Sequence, residues 1–219
     1  QVFDGGSFVL NPGGQLALSM PLFEESVEHV TFERSKEGWK ALEGNREKSM
    51  DSLERDYGAM VLSLRDYVRK TGFSSVVLGL SGGVDSAAVA AIATDALGPK
   101  NVHGIMMPSE FTSQKSLDDA AILAEVLGIT LRKIPIDGPR SAITELLEPI
   151  FTGTKTDLTE ENIQSRLRGL ILMALSNKFG HMLLTTGNKS EVAVGYSTIY
   201  GDMAGGFNPI KDLYKTRVF

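Results

Sequence analysis

Val76-Val77-Leu78-Gly79-Leu80-Ser81-Gly82-Gly83-Val84-Asp85-Ser86 is the stretch from which the fold can be read. Its first five residues are a short apolar run, the pattern of a strand buried on both faces of a parallel sheet. An alanine-rich stretch follows, predicting a helix over Ala87–Leu97. The alternation then continues. The pattern predicts a strand over Val102–Met107, a helix over Ser116–Leu127, a strand over Ile129–Ile136 and a helix over Pro139–Ile150. A longer helix is predicted over Asn162–Phe179 and a last strand over Met182–Thr186. Strands alternating with helices indicate an α/β domain, with a parallel sheet and helices on both faces.

Between the first strand and its helix, Ser81 to Ser86 carries the chemistry. Glycines let a backbone turn tightly and approach a ligand without a Cβ. The helix start presents free N–H groups and a positive dipole end to an anion. Ser81 and Ser86 add hydroxyls. Asp85 is out of place beside a phosphate unless it binds a Mg2+ that bridges the phosphates. An ordinary turn capped by an aspartate is the plain alternative. The loop lacks the Gly-Lys-Ser/Thr ending of a Walker-type P-loop, and it lacks G-x-G-x-x-G.

Upstream, Met50, Leu53, Tyr57, Met60, Val61, Leu64 and Val68 recur at steps of three and four. This predicts an amphipathic helix from near Ser49, with Ser49, Asp51 and Ser52 as N-cap candidates and Gly72 as its stop. The charged, thinly apolar stretch Glu24–Lys48 reads as a loose connection, with a linker set at 26–48 and the α/β domain at 49–219. Residues 1–25 form a β-rich piece. Short strands are expected around Phe3, Phe8, Val9 and Leu10, punctuated by Gly5-Gly6 and Pro12-Gly13-Gly14.

The bulk numbers set limits. The 219 residues are 42% hydrophobic and 22% charged, with a formal net charge of -5. That balance suits a globular chain and argues against a nucleic-acid binder, which usually shows a basic face. The chain has no cysteine, so disulfides, thiolate metal sites and a cysteine nucleophile are excluded within it. A cytoplasmic setting is expected. No apolar run approaches the roughly 18–20 residues of a membrane helix, so no membrane partner is expected. The start at Gln1-Val2-Phe3-Asp4, with no initiator Met, reads as part of a longer protein. His29, His103 and His181 show no ligand spacing, and the methionines read as core filling.

The Ser81–Ser86 loop resembles the SGGxDS loop of the ATP-pyrophosphatase superfamily, whose fold is the adenine nucleotide alpha hydrolase-like one. Those enzymes cut ATP between the α and β phosphates. The second half narrows the resemblance. Its blocks are Glu161-Asn162-Ile163-Gln164-Ser165-Arg166-Leu167-Arg168-Gly169, then Leu184-Thr185-Thr186-Gly187-Asn188-Lys189-Ser190-Glu191. Gly195-Tyr196, Tyr200-Gly201-Asp202 and Asn208-Pro209-Ile210-Lys211-Asp212-Leu213-Tyr214-Lys215-Thr216 follow. In this order they are similar to the NAD synthetase family, and GNKSE and YGD look like its glutamine-dependent branch. The resemblance covers about Leu53 to the end. Val2–Val9 is similar to the last strands of the nitrilase-like glutaminase domain that precedes the synthetase there. The glutaminase residues of that branch would then lie upstream, and further synthetase sequence is expected beyond Phe219.

The resemblance implies ATP-dependent amidation of deamido-NAD by ammonia through an adenylated intermediate, with Mg2+ as the accompanying ion. It places Ser81, Gly82, Gly83, Asp85, Ser86 and Thr186 at ATP, Asp85 and Glu191 at the metal, and Asp85 and Lys215 in catalysis. It places Asn162, Arg166, Asp202 and Lys211 at deamido-NAD. Arg168 is expected to pair with a carboxylate. Ser109, Thr112, Ser113 and Gln114 are expected either over the nucleotide or as a helix cap. A homodimer or larger homo-oligomer is implied. The rivals are another ATP-pyrophosphatase-type adenylating enzyme and an inactive nucleotide-binding fragment.

Overall fold

The computed structural model describes residues 2–36 and 38–219, which divide into two compact units, Gln1–Ser63 and Leu64–Phe219. The first unit holds two antiparallel hairpins, β1 (Phe8–Asn11) with β2 (Gln15–Ser19), and β3 (Phe32–Ser35) with β4 (Gly38–Ala41). Pro12-Gly13-Gly14 turns the first hairpin, with Gly13 and Gly14 at φ 82° and 79°. The buried Asn11 side chain stands in for a strand neighbour of β4. Its Nδ2 donates to the Ala41 carbonyl at 3.0 Å, and its Oδ1 accepts from Ala41 N at 2.8 Å. Phe3 lies outside any strand, and the stretch read as a linker contains the whole second hairpin.

Helix α1 (Ser52–Lys70) crosses the division between the units. Asp51 proves to be its cap, because Asp51 Oδ1 accepts from Leu53 N and Glu54 N at 2.8 and 2.9 Å. In the second unit follow β5 (Val76–Gly79), α2 (Val84–Leu97), β6 (Val102–Met106), α3 (Gln114–Leu127), β7 (Thr130–Lys133), α4 (Asp137–Phe151), α5 (Leu158–Phe179) and β8 (Met182–Leu184). Two short helices, α6 (Lys189–Ala193) and α7 (Lys215–Val218), were not anticipated. The four strands form one parallel sheet in the order β7-β6-β5-β8.

Strand alternation divides the core. Val77, Ile105 and Leu183 cluster with Leu172 of α5 and with Met107 and Ile136. Val76 and Leu78 therefore project to the opposite face, and both are fully buried. Helices pair to match, α2 with α3 and α4 with α5. The boundaries move for local reasons. α5 starts four residues earlier than expected because Asp157 and Glu160 make a capping box there. β7 ends early as a ladder, although Ile134 N and Ile136 N still donate to Met106 and Pro108 carbonyls at 2.8 and 2.9 Å. Among the described residues no helix is long and apolar enough to cross a membrane.

The N-terminal end of the sheet holds a histidine pair. The His103 and His181 rings stack at 4.2 Å, and Ser75 Oγ lies 2.6 Å from His181 Nδ1. Burial, then the nearby Arg132 charge, pushes His103 below the usual imidazole range; burial, then His103 and Arg132, does the same to His181. The unfolded chain therefore takes up protons at a higher pH than the folded one, and stability falls as pH drops through the folded pKa values. Denaturant melts from pH 7.5 to 5 should show this loss, and a His103→Gln/His181→Gln double variant should flatten that part of the profile. An unchanged slope in the variant would place the acid sensitivity elsewhere.

Candidate active site

In a parallel sheet the ligand crevice lies beyond the carboxyl ends of the strands where the strand order reverses. Here the chain runs from β5 outward to β6 and β7, then returns to the other side of β5 as β8. The reversal lies between β5 and β8, and the loops leaving these two strands are Ser81–Gly83 and Thr185–Asn188.

The first loop is built for close approach. Gly82 has φ 80°, and a Cβ there would stand 2.2 Å from the Ser116 carbonyl oxygen at the start of α3. No other residue fits. Gly83 caps α2 with extended backbone. Ser81 and Ser86 brace the turn from inside: Ser86 Oγ donates to Gly83 O at 3.0 Å and lies 3.1 Å from Ser81 Oγ, while Gly83 N donates to Ser81 Oγ at 3.2 Å. Ser86 is buried. Its hydroxyl holds the shape of the loop.

The second loop is joined to the first through Asn188, which is fully buried. Asn188 Nδ2 donates to Asp85 Oδ1 at 3.0 Å. Asn188 Oδ1 accepts from Glu191 N at 3.1 Å, and Asn188 N donates to Glu191 Oε2 at 3.0 Å, closing a capping box on α6. Asp85 Oδ2 accepts from Lys215 Nζ. Lys215 arrives by a traceable route. Residues after Gly205 run along the free edge of β8, with Gly206 N donating to Leu183 O and Thr185 N to Phe207 O. Asn208 Nδ2 then donates to Gly187 O at 2.9 Å, Lys189 N to Leu213 O at 2.8 Å and Lys215 N to Ser190 Oγ at 3.0 Å.

A cavity of about 770 Å³ opens beside these loops, with Ser81, Thr186, Asn162, Arg168 and Asp202 among its walls. One wall depends on two glycines. A Cβ on Gly169 of α5 would meet Gly201 O at 2.9 Å, and one on Gly201 would meet Ser165 Oγ at 2.3 Å. That contact sets the 198–202 turn on α5. Thr198 Oγ1 donates to Asn162 Oδ1 at 3.0 Å, Thr198 N to Asp202 Oδ1 at 2.8 Å and Arg166 Nε to Ile199 O at 3.2 Å.

The expected residues thus fall into two groups. Asp85, Glu191 and Lys215 meet around Asn188. Asn162, Arg166 and Asp202 meet across the α5 contact. Lys211 is exposed and joins neither. Arg168 donates its Nε to the Met107 carbonyl at 3.3 Å and forms no ion pair among the described residues, so the expected carboxylate is replaced by a backbone oxygen. Burial holds its guanidinium below its usual range. Ser113 caps α3, one of the two expectations for that loop, and it also lines the cavity. Asn188 was quoted in the GNKSE block without a role; an asparagine three residues before a glutamate, at a helix start, was the signal available. Among the described residues no three carboxylate or imidazole groups form a metal cluster. Around Asn188, Asp85 and Glu191 offer two carboxylates, which suits an ion that takes one or two carboxylates and its remaining ligands from phosphates.

Fold and site together define an α/β protein with a phosphate-type loop and a carboxylate pair at its topological switch point. The comparisons name the family. A family model described as NAD synthase matches residues 57–219, so the chain belongs to the NAD synthase family. It is 64% identical, over its whole length, to a glutamine-dependent NAD(+) synthetase of Rhodobacter capsulatus, of which it covers 40%. The glutamine-dependent NAD+ synthetase of Acinetobacter baumannii, solved with ADP, superposes with a TM-score of 0.94 at 46% identity, over 99% of this chain and 41% of that one. The NH3-dependent enzyme of Campylobacter jejuni gives 0.70 at 34%, over 78% and 71%. The chain therefore spans about 40% of the length of the glutamine-dependent relatives.

Asn188→Ala should cost about 1–3 kcal/mol of stability, because it empties a fully buried position, removes one of the two partners of the partly buried Asp85 carboxylate and leaves the Glu191 N–H without its cap. Urea unfolding reads this directly, and a midpoint equal to the wild type would refute it. Gly82→Ala should fold less stably still, since both φ and the Ser116 carbonyl forbid the Cβ.

Proposed function

We propose that the chain carries the synthetase site that amidates deamido-NAD to NAD at the expense of ATP. The observation that supports this most is the Asp85–Asn188–Glu191 linkage, with Lys215, beside a phosphate-type loop at the switch point. The 46% identical A. baumannii relative was solved in complex with ADP, and the reading assigns this site a nucleotide of the same class.

In this reading the nicotinate carboxylate oxygen of deamido-NAD attacks the α-phosphorus of ATP. The bond to the bridging oxygen breaks and pyrophosphate leaves. Ammonia then attacks the acyl carbon, the acyl–oxygen bond to AMP breaks and AMP departs, and the nitrogen loses one proton to solvent to leave the amide. The backbone N–H groups of Gly82, Gly83 and the first turn of α2 receive the phosphates, with Ser81 and Thr186 on the cavity side and Ser86 bracing the turn. Asp85 and Glu191 would hold a Mg2+, which supplies neutralisation of the developing phosphate charge. Lys215, which donates to Asp85, stands beside the same loop, and its ammonium would pair with a phosphate oxygen. Asn162, Arg166 and Asp202 hold deamido-NAD against the α5 wall, and Lys211, exposed on the connection to α7, has the most peripheral role. The reading carries a cytoplasmic homodimer or larger homo-oligomer, and ammonia drawn from glutamine in the longer protein. These residues contain no cysteine for that step.

The test is to incubate the intact protein with deamido-NAD, ATP, Mg2+ and ammonium, and to measure NAD and AMP together, with glutamine in a parallel arm. NAD and AMP should appear in step. Asp85→Asn should lower the rate about 100- to 1,000-fold, as loss of a key electrostatic group does, while leaving the fold intact. AMP without NAD would point instead to another adenylating reaction.

A further inference from the structure

The loop from Pro108 to Ser113 lines the cavity, yet the reading above gives it no task. It holds Phe111, a large apolar side chain left 71% exposed on a cavity wall. Single exposed apolar side chains are common on this surface, but this one stands on the wall of a cavity. The loop is also tied down more firmly than a free surface loop requires. Arg140 of α4 places its guanidinium carbon 5.5 Å from the Phe111 ring centroid. The same guanidinium donates to Glu110 Oε1 at 2.5 Å and lies 3.8 Å from Asp137 Oδ1. Asp137 Oδ1 in turn accepts from Glu110 N at 3.0 Å. Thr112 Oγ1 accepts from Ser109 N at 3.0 Å, closing the turn. Arg140 Nε is buried and finds no partner among the described residues, so the arginine is held for its contacts to Glu110, Asp137 and Phe111.

A guanidinium on an aromatic ring occupies one side of it and leaves the rest of the ring for another planar group. Fixed in place by an ion pair and facing a nucleotide-sized cavity, such a ring is a stacking platform. Every nucleobase has a π-face, and an aromatic side chain contributes binding to it without needing hydrogen bonds. We propose that Phe111, clamped by Arg140, Glu110 and Asp137, stacks on the adenine ring of a bound adenosine nucleotide. This rests on the functional reading above for the presence of such a nucleotide. Phe111 touches the ligand; Arg140, Glu110 and Asp137 are positioning residues.

The experiment compares two probes on the intact protein, ADP, which has the base, and inorganic pyrophosphate, which has only the charge. Calorimetry or competition gives the Kd of each, with no turnover needed. Phe111→Ala should weaken ADP on the order of tenfold and leave pyrophosphate unchanged. Phe111→Trp should restore or tighten ADP. Arg140→Gln, which frees the loop but keeps the ring, should fall between wild type and Phe111→Ala for ADP, again with pyrophosphate unchanged. Equal weakening of both probes, or an unchanged ADP Kd in Phe111→Ala, overturns the proposal. In turnover the KM of ATP and that of deamido-NAD, each measured with the other saturating, identify whose adenine is stacked. A rise in KM for one with kcat held supports it, and a rise in neither overturns it. A wild-type protein that binds ADP but makes no NAD would sink the functional reading and leave the stacking result standing.

Discussion

A single buried amide organises the site. Among the described residues of the site, the Asn188 side chain bonds to groups arriving from both sides of the switch point: the Asp85 carboxylate from the helix after β5, and the Glu191 N–H from the helix after β8. Asn188 is fully buried, so these bonds are costly to leave unmade; its amide fixes the Asp85 carboxylate, and its backbone N–H fixes that of Glu191. An amide suits that place because it donates on one side and accepts on the other. A carboxylate there would repel Asp85 and could not donate to it. The arrangement also brings two negative groups near each other without a neutralising atom between them, and Lys215 supplies the compensating charge.

Glycine sets the remaining geometry by what it lacks. The phosphate-type loop sits so close to the start of α3 that Gly82 cannot gain a methyl group. Far along the chain the same device recurs, where Gly169 and Gly201 bring α5 and the 198–202 turn into backbone contact. One contact fixes the loop after β5 and the other fixes a wall of the cavity. Each is a packing constraint with a consequence for ligand geometry, which is why the glycines cannot be read as loop punctuation alone.

The sheet was legible from Val76–Ser86 outward because a buried parallel strand is a run of apolar residues followed by a helix, and both signals are local. The Gly-Gly turn and Asp85 were legible for the same reason. What local sequence does not carry is convergence. Lys215 stands 130 positions from Asp85, and its arrival depends on residues 205–208 pairing along β8, on Asn208 bonding to Gly187 and on Lys189 bonding to Leu213. None of these leaves a periodic pattern. α6 and α7 are likewise too short to show a helical repeat. The second hairpin was missed because its strands, Phe32–Ser35 and Gly38–Ala41, mix charged and apolar residues without a clean alternation, and only Ala41 of them is buried, so the apolar signal is weak.

Charge shows most clearly why composition cannot stand in for a site. The chain carries a net charge of -5, yet its cavity wall contains Arg168, half-buried, held by the Met107 carbonyl and without an ion pair among the described residues. The same walls carry Glu161 and Asp202, so the cavity sets one guanidinium, held by a carbonyl dipole, among two carboxylates, and the position of each charge matters more than their sum. On the neighbouring loops Lys215 is masked by Asp85. The net charge of the chain therefore does not say where its charges meet. The fold decides that: it sets Arg168 against a carbonyl in the cavity wall and Lys215 against Asp85 on the neighbouring loops.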